Sequence, residues 1–360
     1  MRESARRALV VAAAAAATAL LAPGSAFAWG DDHGEGAGSG GSANGGASGN
    51  TLTARAGQSS IAIKQSGGES SKAPTGSLAS VDPTWKPPAC WYEPVATPEQ
   101  LKGAVDRLKQ NPNKDLVAVT PTLSWGEELM VDYYEKGKSQ DARDKSYKNY
   151  NLGRNGMFWR GVINKELKDD VAAWDCERLL FWQDAGTVPD DPNAPTPKTL
   201  AAYAYNRIRV PDTEIELKPE GRSTLNLPTW VWLDKGVFQE VRVRAELPNT
   251  NLWAETTAKP VALHLEPGTD DAETYPASGD CKINDDGSIG TPYSKGDADK
   301  DPPCGISYLH ATDGKPYQLK ASVTWRISWE GTGGAKGDLP DGTFETTQDM
   351  TVQEIQAVNR

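Results

Sequence analysis

Residues 317–329 alternate apolar and polar side chains without a break. The apolar positions are Tyr317, Leu319, Ala321, Val323, Trp325, Ile327 and Trp329. Successive side chains of a strand point to opposite faces, so this period of two predicts a β-strand with one buried and one solvent-facing side. It is the strongest structural signal in the chain.

Residues 212–360 repeat this pattern in shorter form. Alternation occurs at 213–217, 241–245 and 261–265. The glycine-rich stretch 331–342, with its Leu-Pro-Asp-Gly sequence, is predicted to turn the chain into a last strand over 344–352. About eight short strands in this length predict an all-β, immunoglobulin-like sandwich of two sheets.

Residues 83–211 carry helical signals instead. Thr97-Pro98-Glu99-Gln100 predicts a helix start with a capping box, and further helices are predicted to begin at Ser124 and at Thr196-Pro197. The apolar clusters 157–159 and 179–182 are predicted to form core strands. We therefore expect an α+β domain with aromatic-rich loops.

Residues 29–82 are rich in glycine, serine and alanine. Such a composition buries too little apolar surface to offset the entropy lost on ordering, so it predicts a disordered tether. Within it, residues 60–63 alone have the character of a brief strand.

Residues 1–28 have the three parts of a secretory signal peptide. Arginines precede an uncharged apolar run over 8–22, and small residues at Ala26 and Ala28 suit cleavage after Ala28. A membrane anchor is the alternative, but a run of about 15 residues falls short of the roughly 20 that span a bilayer. We expect a secreted, extracellular protein.

The charge excludes one class of partner. The formal net charge is -11, and removal of three arginines and one glutamate with the leader gives -13. A surface this acidic repels phosphate backbones and anionic membranes. We therefore expect no nucleic-acid partner. No second long apolar stretch follows the leader, so no membrane span is expected either.

Four cysteines in an exported chain predict two disulfides. Three connectivities are possible in principle. Proximity in sequence favours Cys90 with Cys176 and Cys281 with Cys304.

The residues needed for catalysis are sparse. The three histidines are His33, His264 and His310, and no zinc-ligand or phosphate-loop motif is present. Paired carboxylates such as Glu127 and Glu128 leave a secreted carbohydrate-active hydrolase as the alternative function. A non-enzymatic role is favoured.

The acidic loop 270–301 contains a candidate calcium site. Asp297, Asp299 and Asp301 alternate along it, and calcium takes six to eight oxygen ligands. The spacing departs from an EF-hand, since Pro302 stands where glycine is required. A solvated acidic loop is the competing interpretation, and no other cofactor is predicted.

Twelve tryptophans are the other compositional feature. Trp91, Trp174 and the pair Trp230 and Trp232 would stack on sugar rings if exposed, whereas core packing is their ordinary role. Trp230 and Trp232 share one parity of a predicted strand, so we take this pair as the candidate recognition surface.

Three motifs carry a family resemblance. Residues 89–94 (Ala-Cys-Trp-Tyr-Glu-Pro), 227–233 (Leu-Pro-Thr-Trp-Val-Trp-Leu) and 352–359 resemble those of secreted actinobacterial, streptomycete-type proteins of uncharacterised function with a C-terminal immunoglobulin-like β domain. The resemblance covers roughly 83–360. It implies an extracellular location and no particular activity.

Together these observations predict a non-catalytic, secreted binding or structural module of the extracellular space or envelope. Its expected partner is a glycan or a protein.

Overall fold

The computed structural model describes residues 45–48, 51–55, 59–67, 75–110, 131–138, 147–178, 180–211, 215–233, 239–297 and 299–354. The strands are β1 (Gly45–Ser48), β2 (Thr51–Arg55), β3 (Ala62–Gly67), β4 (Thr75–Ser77), β5 (Ala79–Ser80), β6 (Cys90–Ala96), β7 (Gly156–Ile163), β8 (Phe181–Asp184), β9 (Arg209–Pro211), β10 (Glu216–Lys218), β11 (Arg222–Thr224), β12 (Thr229–Leu233), β13 (Val241–Glu246), β14 (Trp253–Glu266), β15 (Ala272–Tyr275), β16 (Asp280–Lys282), β17 (Ile289–Gly290), β18 (Gly305–Tyr308), β19 (Tyr317–Gly331) and β20 (Ala335–Gln353). The α-helices are α1 (Pro98–Gln110) and α2 (Pro197–Tyr205).

The largest sheet has the order β1-β2-β3-β13-β14-β19-β20-β11, with β16 also paired to β14 and β5 to β20. Its centre is the strand predicted from the two-residue period. In β19 the side chains from Leu319 to Ile327 at odd positions are buried, and Trp325 is fully enclosed. This prediction is confirmed.

The predicted turn at 331–342 is much shorter in the structure. The chain reverses at Thr332–Gly334, where Gly333 has a φ of 74°, and β20 resumes at Ala335. Trp325 pairs with Gly342 and Ile327 with Leu339, so the Pro-Asp dipeptide forms a bulge within the strand. A bulge tolerates a proline that has no N–H to donate, which is why the strand continues through a turn-like sequence.

Among the described residues, three smaller sheets accompany the large one. One has the order β10-β12-β18-β15 with β17 on β12, another is β6-β7-β8, and the third pairs β4 with β9. The protein is therefore mostly β with open sheets. The clusters predicted as core strands are present in β7 and β8, where Phe158 and Phe181 are buried.

Two predicted helices are confirmed. Thr97 and Gln100 form the expected capping box of α1, with the Gln100 N–H donating to Thr97 Oγ1 at 3.2 Å. Thr196 and Thr199 cap α2 in the same way. Helix α2 packs on the large sheet, where Thr256 Oγ1 donates to the carbonyl oxygen of Ala201 at 3.0 Å. Of the predicted middle helix, the described part is a π-helical turn, Val131–Glu135.

Part of the predicted tether is ordered, and the prediction of disorder up to residue 82 is wrong there. Strand β3 pairs with β2 on one side and β13 on the other. Ile61 and Ile63 are buried, so the brief strand expected at 60–63 is confirmed. Composition averaged over 54 residues hid these two apolar anchors. Residues 29–44 lie outside the described part.

A buried carboxylate joins this first ordered segment to β6. Glu93 is 2% exposed and accepts hydrogen bonds from Trp91 Nε1 at 2.6 Å, Ser59 Oγ at 2.5 Å, Ser60 Oγ at 2.7 Å and the Ser60 N–H. Arg160 lies opposite Glu93 in the β6-β7 register. Burial lowers the pKa of Arg160, and the charge of Glu93 opposes that shift. The cluster satisfies several polar groups that would otherwise be buried without partners.

Both predicted disulfides are present. Cys90 bonds Cys176 with a Cα–Cα distance of 6.0 Å, and Cys281 bonds Cys304 at 5.4 Å. The first ties β6 to the loop after Val171–Trp174, and the second ties β16 to the start of β18.

Candidate functional site

The predicted recognition pair does not form an open surface. Trp230 is only 5% exposed, and its ring packs edge-on against Tyr293 with centroids 5.8 Å apart. Trp232 is half-buried on the same strand. Strand β12 lies between β10 and β18, and its neighbours Val231 and Leu233 are buried as well. Of the pair, Trp230 is therefore buried and only Trp232 keeps part of its ring exposed.

The structure does not bring Asp297, Asp299 and Asp301 together as metal ligands. Among the described residues, no group of three metal-ligating side chains is close enough to hold an ion. The Asp297 carboxylate instead accepts hydrogen bonds from Ser294 and from Lys300 Nζ. These bonds, first that of Ser294, lower the pKa of Asp297. Asp299 and Asp301 are exposed, which is the solvated-loop alternative.

The catalytic alternatives gain no support. Glu127 and Glu128 lie outside the described residues. His264 Nδ1 is 2.8 Å from Asp280 Oδ1, and Ser322 lies opposite His264 in the β14-β19 register. A catalytic serine must hydrogen-bond its histidine. Within the described part of the chain, no hydrogen bond joins Ser322 to His264, so this row of three side chains lacks the activated nucleophile.

One tryptophan singled out in the sequence is open to solvent. Trp174 is 64% exposed and Val171 is 83% exposed, whereas Trp91 is 3% exposed. Both exposed residues belong to the 3₁₀ turn Val171–Trp174. Side chains three apart in a 3₁₀ helix lie over one another, so the turn presents an indole and an isopropyl group on one side. We call Val171 and Trp174 the Trp174 platform.

The turn under the platform is held at several points. The Asp170 carboxylate accepts a hydrogen bond from the Ala172 N–H at 3.1 Å and pairs with Lys86 Nζ at 3.0 Å. The hydrogen bond from Lys86, followed by that from Ala172, lowers the pKa of Asp170. Ala173 is buried at 1% exposure and anchors the turn from below. The platform is therefore fixed to the fold although its side chains are exposed.

The chain after the platform is fixed as well. Cys176 is bonded to Cys90 of β6, and Asn193 Nδ2 donates to the carbonyl oxygen of Asp175 at 3.4 Å. Gly161 of β7 lies directly against this segment, since a Cβ there would come within 2.4 Å of the Cys176 carbonyl oxygen. A side chain at 161 would displace the loop, so glycine sets how closely it packs on the sheet.

An indole held in this way can bind a flat, weakly polar ligand. The ring face carries partial negative charge, and the C–H groups on one face of a hexopyranose ring carry partial positive charge, so the two attract one another while apolar area leaves water. A preformed platform loses little conformational entropy on binding. The sequence signal for this site is local. Asp170 caps the 3₁₀ turn, Val171 and Trp174 stand three positions apart in it, and Cys176 fixes the chain two residues later.

No known protein family matches the chain, and neither a curated protein nor a solved structure matches it. In the described part of the chain, no helix has both the length and the apolar character needed to cross a bilayer.

Proposed function

We propose that the protein is a secreted, non-catalytic binding module of the extracellular space or cell envelope, and that its ligand is a glycan held on the Trp174 platform. The observation that carries the proposal is the exposure of Trp174 on a fixed turn. Ala173 of this turn is buried, and the Cys90–Cys176 disulfide follows Trp174 by two positions. Tryptophan is highly buried on average, so a ring that is 64% exposed and lies beside a second exposed apolar side chain supports a recognition surface.

Export is part of the proposal. The signal-peptide pattern of residues 1–28 supports it, and so do two disulfides and the lack of free cysteine among the described residues. Disulfides persist in oxidising compartments outside the cytoplasm. The resemblance to secreted actinobacterial proteins points to the same location.

We also propose that the sheets of the C-terminal half have an immunoglobulin-like arrangement. The antiparallel series β13-β14-β19-β20 and the separate sheet β10-β12-β18-β15 support two β layers. Such a scaffold suits a binding module because rigid strands hold loops in place. The fold alone does not select a ligand.

Replacement of Trp174 by alanine is expected to weaken binding of the secreted protein to cell-wall polysaccharide at least about 30-fold, the loss typical of a central aromatic contact. Trp174→Phe should retain part of the affinity, since a smaller ring still stacks. Binding is measured by calorimetry or by co-sedimentation with insoluble wall material.

Leu227→Ala is the matched control, because Leu227 is also an exposed apolar side chain, at 52%, and belongs to a different turn, between β11 and β12. It should bind like the wild type, and all variants should melt within a few degrees of it. Full binding by Trp174→Ala, or no binding by the wild type to any wall or envelope glycan, would contradict the proposal.

A further inference from the structure

We infer that the Trp174 platform selects a glycan whose sugars carry protonated amines, that is, glucosamine-type residues in preference to their N-acetylated forms. The inference rests on the proposed function and adds the ligand class. It is drawn from the charges around the platform.

Three exposed carboxylates flank the platform in sequence: Asp169, Asp175 and Glu177. Within the described residues, none of the three side chains forms an ion pair or a hydrogen bond. Asp170 differs, since Lys86 neutralises it while it caps the turn. The unpaired carboxylates are therefore available to an incoming ligand.

Basic side chains do not cancel this charge. Residues 165–177 contain five acidic and two basic residues, so this segment together with Lys86 carries a net charge of -2. The next cation along the chain, Arg178, has its guanidinium 3.6 Å from the ring centroid of Phe181 and 3.8 Å from Asp191, and its side chain is only 11% exposed. Its charge is therefore engaged by Phe181 and Asp191 within the fold.

An exposed indole beside unpaired carboxylates complements one ligand chemistry well. An ammonium group is attracted both by the face of tryptophan and by nearby carboxylates. A sugar with a protonated amine offers this charge together with an apolar pyranose face for Trp174 and Val171. Acetylation removes the charge and keeps the pyranose, so the two forms of one oligosaccharide isolate the effect. Uronic acids and other anionic sugars are disfavoured by the charge of the whole protein.

The test compares glucosamine hexasaccharide with N-acetylglucosamine hexasaccharide, titrated into the full secreted protein at a slightly acidic pH. The amine form is expected to bind about tenfold more tightly. Raising the salt from about 0.1 M to about 1 M shortens the Debye length from about 10 Å to about 3 Å and should remove most of that difference.

Two variants separate charge from stacking. The double change Asp175→Asn with Glu177→Gln removes two of the three unpaired carboxylates and should therefore reduce the preference for the amine form. Trp174→Ala should weaken both. Lys168→Gln, a control for altered surface charge on the same segment, should keep the preference or strengthen it slightly.

Equal binding of the two hexasaccharides, or tighter binding of the acetylated one, overturns the inference and leaves glycan binding on Trp174 in place. If Trp174→Ala leaves the affinity for the amine form unchanged, the attraction is general and is not centred on the platform, which also overturns the inference. If no glycan binds at all, both this inference and the proposed function fail.

Discussion

Replacing Glu93 with alanine is expected to lower the free energy of unfolding by about 3–5 kcal/mol. The change removes the acceptor for Trp91 Nε1, the Ser60 N–H and two serine hydroxyls at a site that is 2% exposed. It also removes the negative charge opposite Arg160, which is half-buried. Glu93→Gln keeps one acceptor oxygen and should cost about half as much.

Urea unfolding followed by tryptophan fluorescence measures this effect. Glu273→Ala is the matched control, because Glu273 is a strand glutamate with an exposed side chain, and its loss should change stability by less than about 0.5 kcal/mol. Amide exchange should accelerate over residues 62–67 in Glu93→Ala, because the cluster fixes the start of β3. A Glu93→Ala protein within about 1 kcal/mol of the wild type, with unchanged exchange there, would show that the cluster does not hold the segment.

The second large effect on stability is expected from loss of the Cys90–Cys176 disulfide, whose Cys176 follows Trp174 by two positions. Cys90 and Cys176 are 86 positions apart, and the loop-entropy treatment gives about 4–5 kcal/mol for a closure of this length. Cys281 and Cys304 are 23 apart, which gives about 3 kcal/mol. Changing each pair to alanine should therefore destabilise the protein in that order.

Glycan binding should separate the two disulfides more sharply than stability does. Without the Cys90–Cys176 bond, the chain that follows Trp174 is more mobile. Because this segment must then be ordered when the glycan binds, the affinity should fall about threefold to tenfold. Loss of Cys281–Cys304 should leave affinity unchanged, since that bond joins β16 to β18. The idea of a preformed platform is wrong if both double variants, while still folded, bind as tightly as the wild type.

Local patterns predicted the elements that depend on local physics. The alternation of 317–329 gave β19, the capping residues Thr97 and Thr196 marked two helix starts, and cysteine spacing gave both disulfides. For the strand and the two helix starts, the residues that decide the outcome are close in sequence. For the disulfides, four cysteines allow only three pairings. The local preferences of these segments agree with the tertiary contacts that they make in the folded protein.

The errors share a different cause. The burial of Trp230 depends on strands β10 and β18 and on Tyr293, which lie far from it in sequence. The order of β3 depends on β13, which follows it by about 175 residues. The bulge that replaces a turn at 339–342 depends on its register with Trp325. A periodicity shows that one face is buried, but it does not show whether the second face is covered as well.

The candidate site was found only in part for the same reason. Trp174 and Trp91 both lie close to a cysteine in the sequence, and core packing was the favoured interpretation of both. The structure separates them, because β6 carries Trp91 inside while the 3₁₀ turn carries Trp174 outside. The exposure of a single ring is set by the path of the chain around it, which the local sequence encodes weakly.

The most direct measurement follows the indole N–H resonance of Trp174 during titration with cell-wall glycan, with Trp174→Phe used to assign the signal. Our account predicts that this resonance shifts with saturation, while the signals of the buried rings of Trp91 and Trp325 stay in place. A saturating glycan that leaves the Trp174 resonance unmoved would contradict it.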